Sequence, residues 1–159
     1  MTDVQTGIGR ATALLFAKEG CQKIAICDRN ETSIQETKDL IKRDHPDVNV
    51  KAICFDVSDE TAVTTAVRDV VEDFGRLDYC ANIAGIVLLG KQTAEMETSF
   101  FDKHHNINLR GLFLCERAQI AAMLQQEPLQ SRLVSSPYQG IAWSDRTLEI
   151  LSGHQEARS

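Results

Sequence analysis

Apolar and polar positions alternate along this chain in two rhythms that succeed one another. Ala11-Thr12-Ala13-Leu14-Leu15-Phe16-Ala17-Lys18-Glu19-Gly20 has the pattern of a helix that stops on glycine. Lys23-Ile24-Ala25-Ile26-Cys27-Asp28 then has that of a short buried strand closing on an acid. Arg29 to Ser33 is rich in capping residues, and Ser33 and Glu36 stand at capping-box spacing near a helix that Pro46 ends. Asn49 to Phe55 repeats the apolar strand and again closes on an acid, Asp56. Ser58 and Asp59 can cap a third helix, whose Val63, Val67, Val70, Val71 and Phe74 recur every three or four residues until Gly75. Leu77 to Asn82 is a third strand, and Ile83-Ala84-Gly85 turns out of it.

Strand and helix therefore alternate at βα spacing, which predicts a parallel sheet covered on both faces by helices. Beyond a loop reaching Met96, Thr98 opens the longest helical stretch, predicted to run to about Gln126 with Phe100, Phe101, Ile107, Leu112, Phe113, Ala118 and Met123 among its apolar positions. A helix this apolar is deeply packed or contributes to a subunit contact, and residues 99–126 are the candidate surface for a homo-oligomer. Pro128 marks its end, and Leu133-Val134-Ser135-Ser136 has the pattern of one more strand. Residues 137–159 show no sustained period and form a poorly determined tail.

Composition narrows the function without naming it. At 159 residues, 43% hydrophobic and 25% charged, the chain has the material for one globular domain. A formal net charge of −6, with no basic run interleaved with aromatics, argues against a nucleic-acid or anionic-membrane surface. No apolar run reaches bilayer length and the amino terminus carries no leader-like core, so a cytoplasmic setting is expected. Cys21, Cys27, Cys54, Cys80 and Cys115 are scattered without C-x-x-C spacing, as in a reducing compartment, and His45, His104, His105 and His154 share no metal-ligand spacing with them. No metal site is expected.

The candidate chemistry lies at the front of the first helix. Gly7-Ile8-Gly9 lets the backbone pass close to a ligand, and the helix start behind it offers unpaired N–H groups and partial positive charge to a phosphate. The turn departs from the full dinucleotide fingerprint, since Thr12 stands where a third glycine belongs.

Taken in order, Gly7-Ile8-Gly9, Asp28, Asp56-Val57, Asn82-Ile83-Ala84-Gly85 and Asn108-Leu109-Arg110-Gly111 resemble the short-chain dehydrogenase/reductase family over roughly residues 5–136. The resemblance implies a Rossmann-like three-layer αβα fold and a partial NAD(P)-binding domain over residues 1–136, with 137–159 as the tail. It also implies descent from enzymes that move a hydride between NAD(P) and an alcohol or ketone. Gly7 and Gly9 would face the pyrophosphate with Ile8 packed under it. Asp28 would accept the adenosine ribose hydroxyls and oppose the extra phosphate of NADP, which favours NAD. Asp56 would lie beside the adenine amino group with Val57 on the ring face. Asn82, Ala84 and Gly85 would flank the ribose, Ile83 replacing the family's second asparagine there. Asn108 matches the asparagine that stabilises a helix kink and holds a water in the family's proton relay.

Two further parts of the family pattern are missing. The reaction needs a tyrosine with a lysine four residues on; here Tyr138 is followed at that spacing by Ala142, and no lysine follows Lys103. Ser136 is the nominal carbonyl-orienting serine, but Tyr138 comes too soon after it to be its partner. At the front, Thr2 matches but Asp3 holds the place of the first glycine, and no strand precedes it. The implied fold is thus incomplete, lacking the first strand and the C-terminal strands. The missing first strand belongs between the strands ending in Asp28 and Asn82, so these two are expected to expose unpaired edges or to pair with each other. A chain of this kind is expected to bind nucleotide without turnover; the alternatives are a non-catalytic interaction module and an unstable fragment.

Overall fold

A computed structural model describes residues 7–87, 92–127 and 147–151. Helix α1 (Gly7–Lys18) leads to strand β1 (Lys23–Asp28), helix α2 (Glu31–Asp44), strand β2 (Asn49–Cys54), helix α3 (Glu60–Phe74) and strand β3 (Tyr79–Asn82). A short 3₁₀ turn (Thr93–Glu95) precedes helix α4 (Thr98–His105), a π-helical turn (Asn106–Gly111), helix α5 (Leu112–Met123) and strand β4 (Thr147–Leu151).

Alternation along each strand builds the three layers. Ile24 and Ile26 of β1 face one way, into a core with Ala13 and Ala17 of α1 and Ile34 and Ile41 of α2; Tyr79 and Ala81 of β3 pack against the same cluster. Ala25 faces the other way, onto Val67, Val70 and Phe74 of α3, with Cys80 and Ala118 alongside. Cys27 joins Val63, Leu114 and Cys115 in a third cluster on that second face. A strand covered on both faces must be apolar throughout, which is why β1 is buried from Ile24 to Asp28.

The ends of the elements follow local chemistry. The cap of α2 is Asn30, whose side chain accepts the Ser33 N–H at 3.0 Å, so the start lies one turn before the capping box expected at Ser33. Asp59 caps α3 by accepting from the N–H groups of Thr61 and Ala62, and Gly75 ends the same helix at φ 84°. Side-chain amides clasp α5 and the turn after it to β3 and the residues leading into it. Gln126 accepts the Leu77 N–H and donates to the Leu77 carbonyl, while Gln119 exchanges two bonds with Asn82 at 2.9 and 3.0 Å.

Two expectations from the sequence are corrected. The single helix from Thr98 to Gln126 is interrupted, because Asn106–Gly111 winds into a π turn between α4 and α5. The exposed or mutually paired edges expected of β1 and β3 are not found either. The sheet is wholly parallel in the order β2-β1-β4-β3, with β4 lying between β1 and β3. Two facing strand edges leave two rows of backbone donors and acceptors, and an inserted strand satisfies both rows at once.

Candidate nucleotide site

Ligands of open α/β sheets bind beyond the carboxyl ends of the strands. Register aligns those ends here: Cys27 and Asn82 are both level with Leu151 of β4, one on either side. At a strand spacing of about 4.8 Å, the ends of β1 and β3 therefore stand about 10 Å apart across β4.

Asp28 lies one residue beyond this level and is 6% exposed. Its Oδ1 accepts the Asn30 N–H at 3.0 Å and its main-chain carbonyl accepts the Phe55 N–H at 3.1 Å, so the loop after β1 orients the carboxylate and the loop after β2 anchors the backbone beneath it. Asp56 begins the loop after β2, and its Oδ1 accepts from both the N–H and the hydroxyl of Ser58, at 2.8 and 2.7 Å. Nearby, burial pushes the Cys54 thiol above its ordinary range, with the Glu31 and Asp28 charges adding to the effect.

Gly7 begins α1 at φ 31°, a backbone angle that a side chain disfavours, and Gly9 is buried. Ile8, expected beneath the pyrophosphate, is 74% exposed. It sits in the first turn of a helix whose buried residues are Gly9, Ala13 and Ala17, so its side chain falls outside the inward stripe. Arg10, given no role by the sequence, ties the glycine helix to α2: it donates to Thr37 Oγ1 at 2.9 Å, to Glu36 Oε2 at 2.8 Å and to the Ser33 carbonyl at 3.4 Å.

The π turn joins the loops that follow β2 and β3. Asn108 Oδ1 accepts the Ile86 N–H and its Nδ2 donates to the Ile86 carbonyl, both at 2.8 Å, while the same Nδ2 stands 2.9 Å from His104 Nε2. This reciprocal pair fixes the segment that leaves Ala84 and Gly85. On the β2 side a Cβ added to Gly111 would come within 2.8 Å of Val57 Cγ2, so only glycine allows the helix to approach Val57 as it does. Arg110 donates to the Ser58 carbonyl at 2.8 Å, and Arg117 donates to Glu60 Oε1 and holds that carboxyl below its ordinary range. One wide helical turn thus carries the side chains and the glycine that brace both loops, in keeping with the frequent placement of π turns at functional sites.

Asn82, expected to flank a ribose and tie β3 to its neighbour, has its side chain tied to helix α5. Its amide pairs with Gln119, which is 2% exposed. Gln119, Gly111 and Arg10 are the residues sequence reasoning left without a role; a buried glutamine inside an apolar helix was the available signal for the first. Of the tyrosines, Tyr79 begins β3 and packs on Phe16 with ring centroids 6.4 Å apart, so it serves the core at the end of its strand away from the site. Ser136 and Tyr138 lie outside the described residues, as do Thr2 and Asp3. Among the described residues no group of three histidine, cysteine or acidic side chains is placed to hold a metal, and no helix is long and apolar enough to cross a membrane.

A parallel sheet with a glycine-led helix and acids at the carboxyl ends of its strands defines a dinucleotide-binding class of α/β domain. The chain belongs to the short-chain dehydrogenase/reductase family, whose members are NAD(P)-binding oxidoreductases: the family model described as Enoyl-(Acyl carrier protein) reductase matches residues 4–144. It is 38% identical over 133 residues to the short-chain dehydrogenase fogB of Aspergillus ruber, a match covering 82% of this chain and 48% of that protein. It is 36% identical over 121 residues to levodione reductase of Leifsonia aquatica, covering 76% of this chain and 45% of the reductase. A crystal structure of levodione reductase superposes with a TM-score of 0.71 at 37% identity, over 74% of this chain and 45% of that one. A 3-ketoacyl-(acyl-carrier-protein) reductase from Brucella melitensis, complexed with NADH, superposes at 0.63 with 29% identity, over 74% of this chain and 45% of that one. The chain spans about half the length of the relatives it matches.

Proposed function

We propose that this chain is an NAD-binding unit of the short-chain oxidoreductase type that binds NAD(H) without turning over an alcohol or ketone. The observation that carries the reading is Asp28: a residue 6% exposed at the end of β1, its carboxylate oriented by the Asn30 N–H, one residue beyond the level where β3 ends. A carboxylate there is suited to accept two ribose hydroxyls and repels a phosphate in the same place, which favours NAD over NADP. Gly7 and Gly9 at the N-terminus of α1 would seat the pyrophosphate, with Ile8 exposed beside it. Asp56 and Val57 would meet the adenine, and Asn82, Ala84 and Gly85, the last two braced through Asn108, would flank the ribose.

The bound cofactor supplies or accepts a hydride; the protein must supply the proton and the geometry. The pair that supplies it in the family, a tyrosine with a lysine four residues on, does not occur in these 159 residues. A tyrosine without a neighbouring cation keeps a pKa near ~10 and transfers protons poorly near neutrality. Ser136 and Asn108 are then remnants of the family's catalytic set, with Asn108 retained for the hold it keeps on Ile86. Five cysteines carried as thiols support a reducing, cytoplasmic setting.

Titration with NADH, followed by its fluorescence, is expected to saturate, and NADPH is expected to bind more weakly. Asp28→Ala removes charge-assisted bonds worth about 1.5–3 kcal/mol, so NADH affinity should fall roughly 10- to 150-fold. Asp28→Asn keeps an acceptor for the Asn30 N–H and should mainly narrow the gap between NADH and NADPH. Absence of any saturable signal at millimolar NADH sinks the reading, and robust turnover of an alcohol or ketone sinks its second half.

A second function is supported by α4, the π turn and α5, where Leu109, Phe113, Ile120 and Leu124 are 62%, 56%, 54% and 81% exposed and Phe100 and Phe101 add to the apolar surface. A surface of this kind suits association with a second copy. Light scattering on the eluting chain is expected to give a dimer mass; a well-folded monomer at every concentration removes this reading.

A further inference from the structure

Asn108 can point its amide in only one way. The N–H of Ile86 only donates and the Ile86 carbonyl only accepts, so the two bonds at 2.8 Å fix Oδ1 on the first and Nδ2 on the second. Nδ2 carries another hydrogen, and 2.9 Å from that nitrogen stands Nε2 of His104. Only a ring nitrogen without a proton can accept this hydrogen, which makes His104 neutral with its proton on Nδ1. The backbone of Ile86 is thus relayed, through one amide, to the protonation state of a half-buried histidine on α4.

We propose that His104 is a positioning residue for the nucleotide edge, holding Asn108, and through it residues 84–86, only while its imidazole is neutral. The amide it steadies lies directly over the site loop. A Cβ added to Gly85 would stand 3.4 Å from Asn108 Oδ1, so the amide rests on that glycine as well as bonding the residue after it. With His104 as acceptor, both hydrogens and the oxygen of the amide have partners. A second proton on His104 sets a donor against a donor. Either the imidazole then leaves, or the amide turns away from Ile86 and its two bonds are lost. The hold is therefore complete at neutral and alkaline pH and is lost as pH falls.

Few other charged groups surround His104. On α4 its chain neighbours are Asp102, Lys103 and His105, the His105 ring centroid lying 6.2 Å away, and Glu95 and Glu97 stand at the opposite end of the helix. The residues one turn away along the helix, Phe100, Phe101, Ile107 and Asn108, carry no charge. On the π turn, against which α4 packs, the charged residue is Arg110, whose guanidinium is taken by the Ser58 carbonyl and Glu60. Residues 82–87 include no titratable side chain.

Nitrogen-resolved NMR of the full chain without cofactor is expected to show His104 as the Nδ1–H tautomer at about pH 8. An unheld imidazole interconverts between its tautomers, so a His104 that is averaged, or protonated on Nε2, overturns the proposal.

Calorimetric titration with NAD reads the consequence, and this arm rests on the nucleotide reading of the edge. NAD affinity is expected to fall about three- to tenfold between about pH 8 and about pH 5.5, the equivalent of one neutral hydrogen bond. His104→Ala should show a loss of that size already at about pH 8. In His104→Gln, whose Oε1 is an acceptor that does not titrate, affinity should be restored and level across the interval. His45, His105 and His154 remain in every variant, so an equal slope in wild type and His104→Gln assigns it to them and overturns the role of His104. If none of these proteins binds NAD, the nucleotide reading fails by itself and amide exchange at Ile86 decides for His104. Wild type is then expected to lose protection relative to His104→Gln at about pH 5.5, and equal protection overturns the proposal.

Discussion

Alanine in place of Ile24 is expected to lower stability by about 2–5 kcal/mol, the usual range for emptying a fully buried aliphatic site. Ile24 has no exposed surface and packs in the cluster that joins α1, α2 and the sheet. Its backbone is in register with Val50 on one side and Leu148 on the other, so the site is enclosed within the sheet as well as across its face. With domain stabilities of about 5–15 kcal/mol, the loss is a large share of the total. Urea unfolding followed by circular dichroism would measure it as a lower midpoint at unchanged slope. Leu15→Ala is the matched control: that residue of α1 is 55% exposed, and its removal should stay within about 0.5 kcal/mol. Equal losses from the two substitutions would mean that the cluster around Ile24 is not a packed core. The consequence reaches the site, because β1 carries Asp28 at its end.

Asn108→Ala is expected to be the most damaging polar substitution. It removes the partner of both the N–H and the carbonyl of Ile86, part-buried groups at which each lost bond is worth roughly 0.5–1.5 kcal/mol. Asn108→Asp separates the two contributions, since it still accepts the Ile86 N–H but loses the donor to the carbonyl. The aspartate variant should therefore lie between wild type and alanine in stability. Because Ile86 follows Ala84 and Gly85 directly, both variants should also weaken NADH binding, alanine more than aspartate. Thermal unfolding and NADH titration of the three proteins would test this ranking. An alanine variant as stable as wild type would mean that water replaces the amide at no cost and that the π turn is held by other contacts.

Much of the fold was legible from local pattern. Strands β1, β2 and β3 announced themselves as short apolar runs closing on Asp28, Asp56 and Asn82, and α3 as a valine stripe between an aspartate cap and Gly75. These signals are carried by neighbours in the chain, so they survive without knowledge of the fold. Asp28, Asp56 and Asn82 could be placed for the same reason, since each falls at or just beyond the end of a strand and parallel strands deliver their ends to one edge.

Other features depended on partners distant in sequence. The pattern of Asn106–Gly111 continues the helical rhythm on both sides, and nothing in it states that Asn108 will take the backbone of Ile86 as its partner. The exposure of Ile8 follows from which face of α1 meets α2 and the sheet. Gln119 resembled a stray polar residue in an apolar helix until Asn82 arrived opposite it.

What the sequence alone determined was the alternation of elements, the family, the acids and glycines proposed for the nucleotide edge, and the absence from these 159 residues of a tyrosine with a lysine four residues on. All of these are properties of local composition and spacing. Tertiary structure alone decided that the middle of the sheet is filled from Thr147–Leu151, that a π turn divides the long helix, and that amide pairs clasp the loops of the site. Five residues flanked by polar chain carry little pattern of their own. A strand's place in a sheet is set by which backbone edges would otherwise go unpaired, and those edges exist only once the rest of the chain has folded.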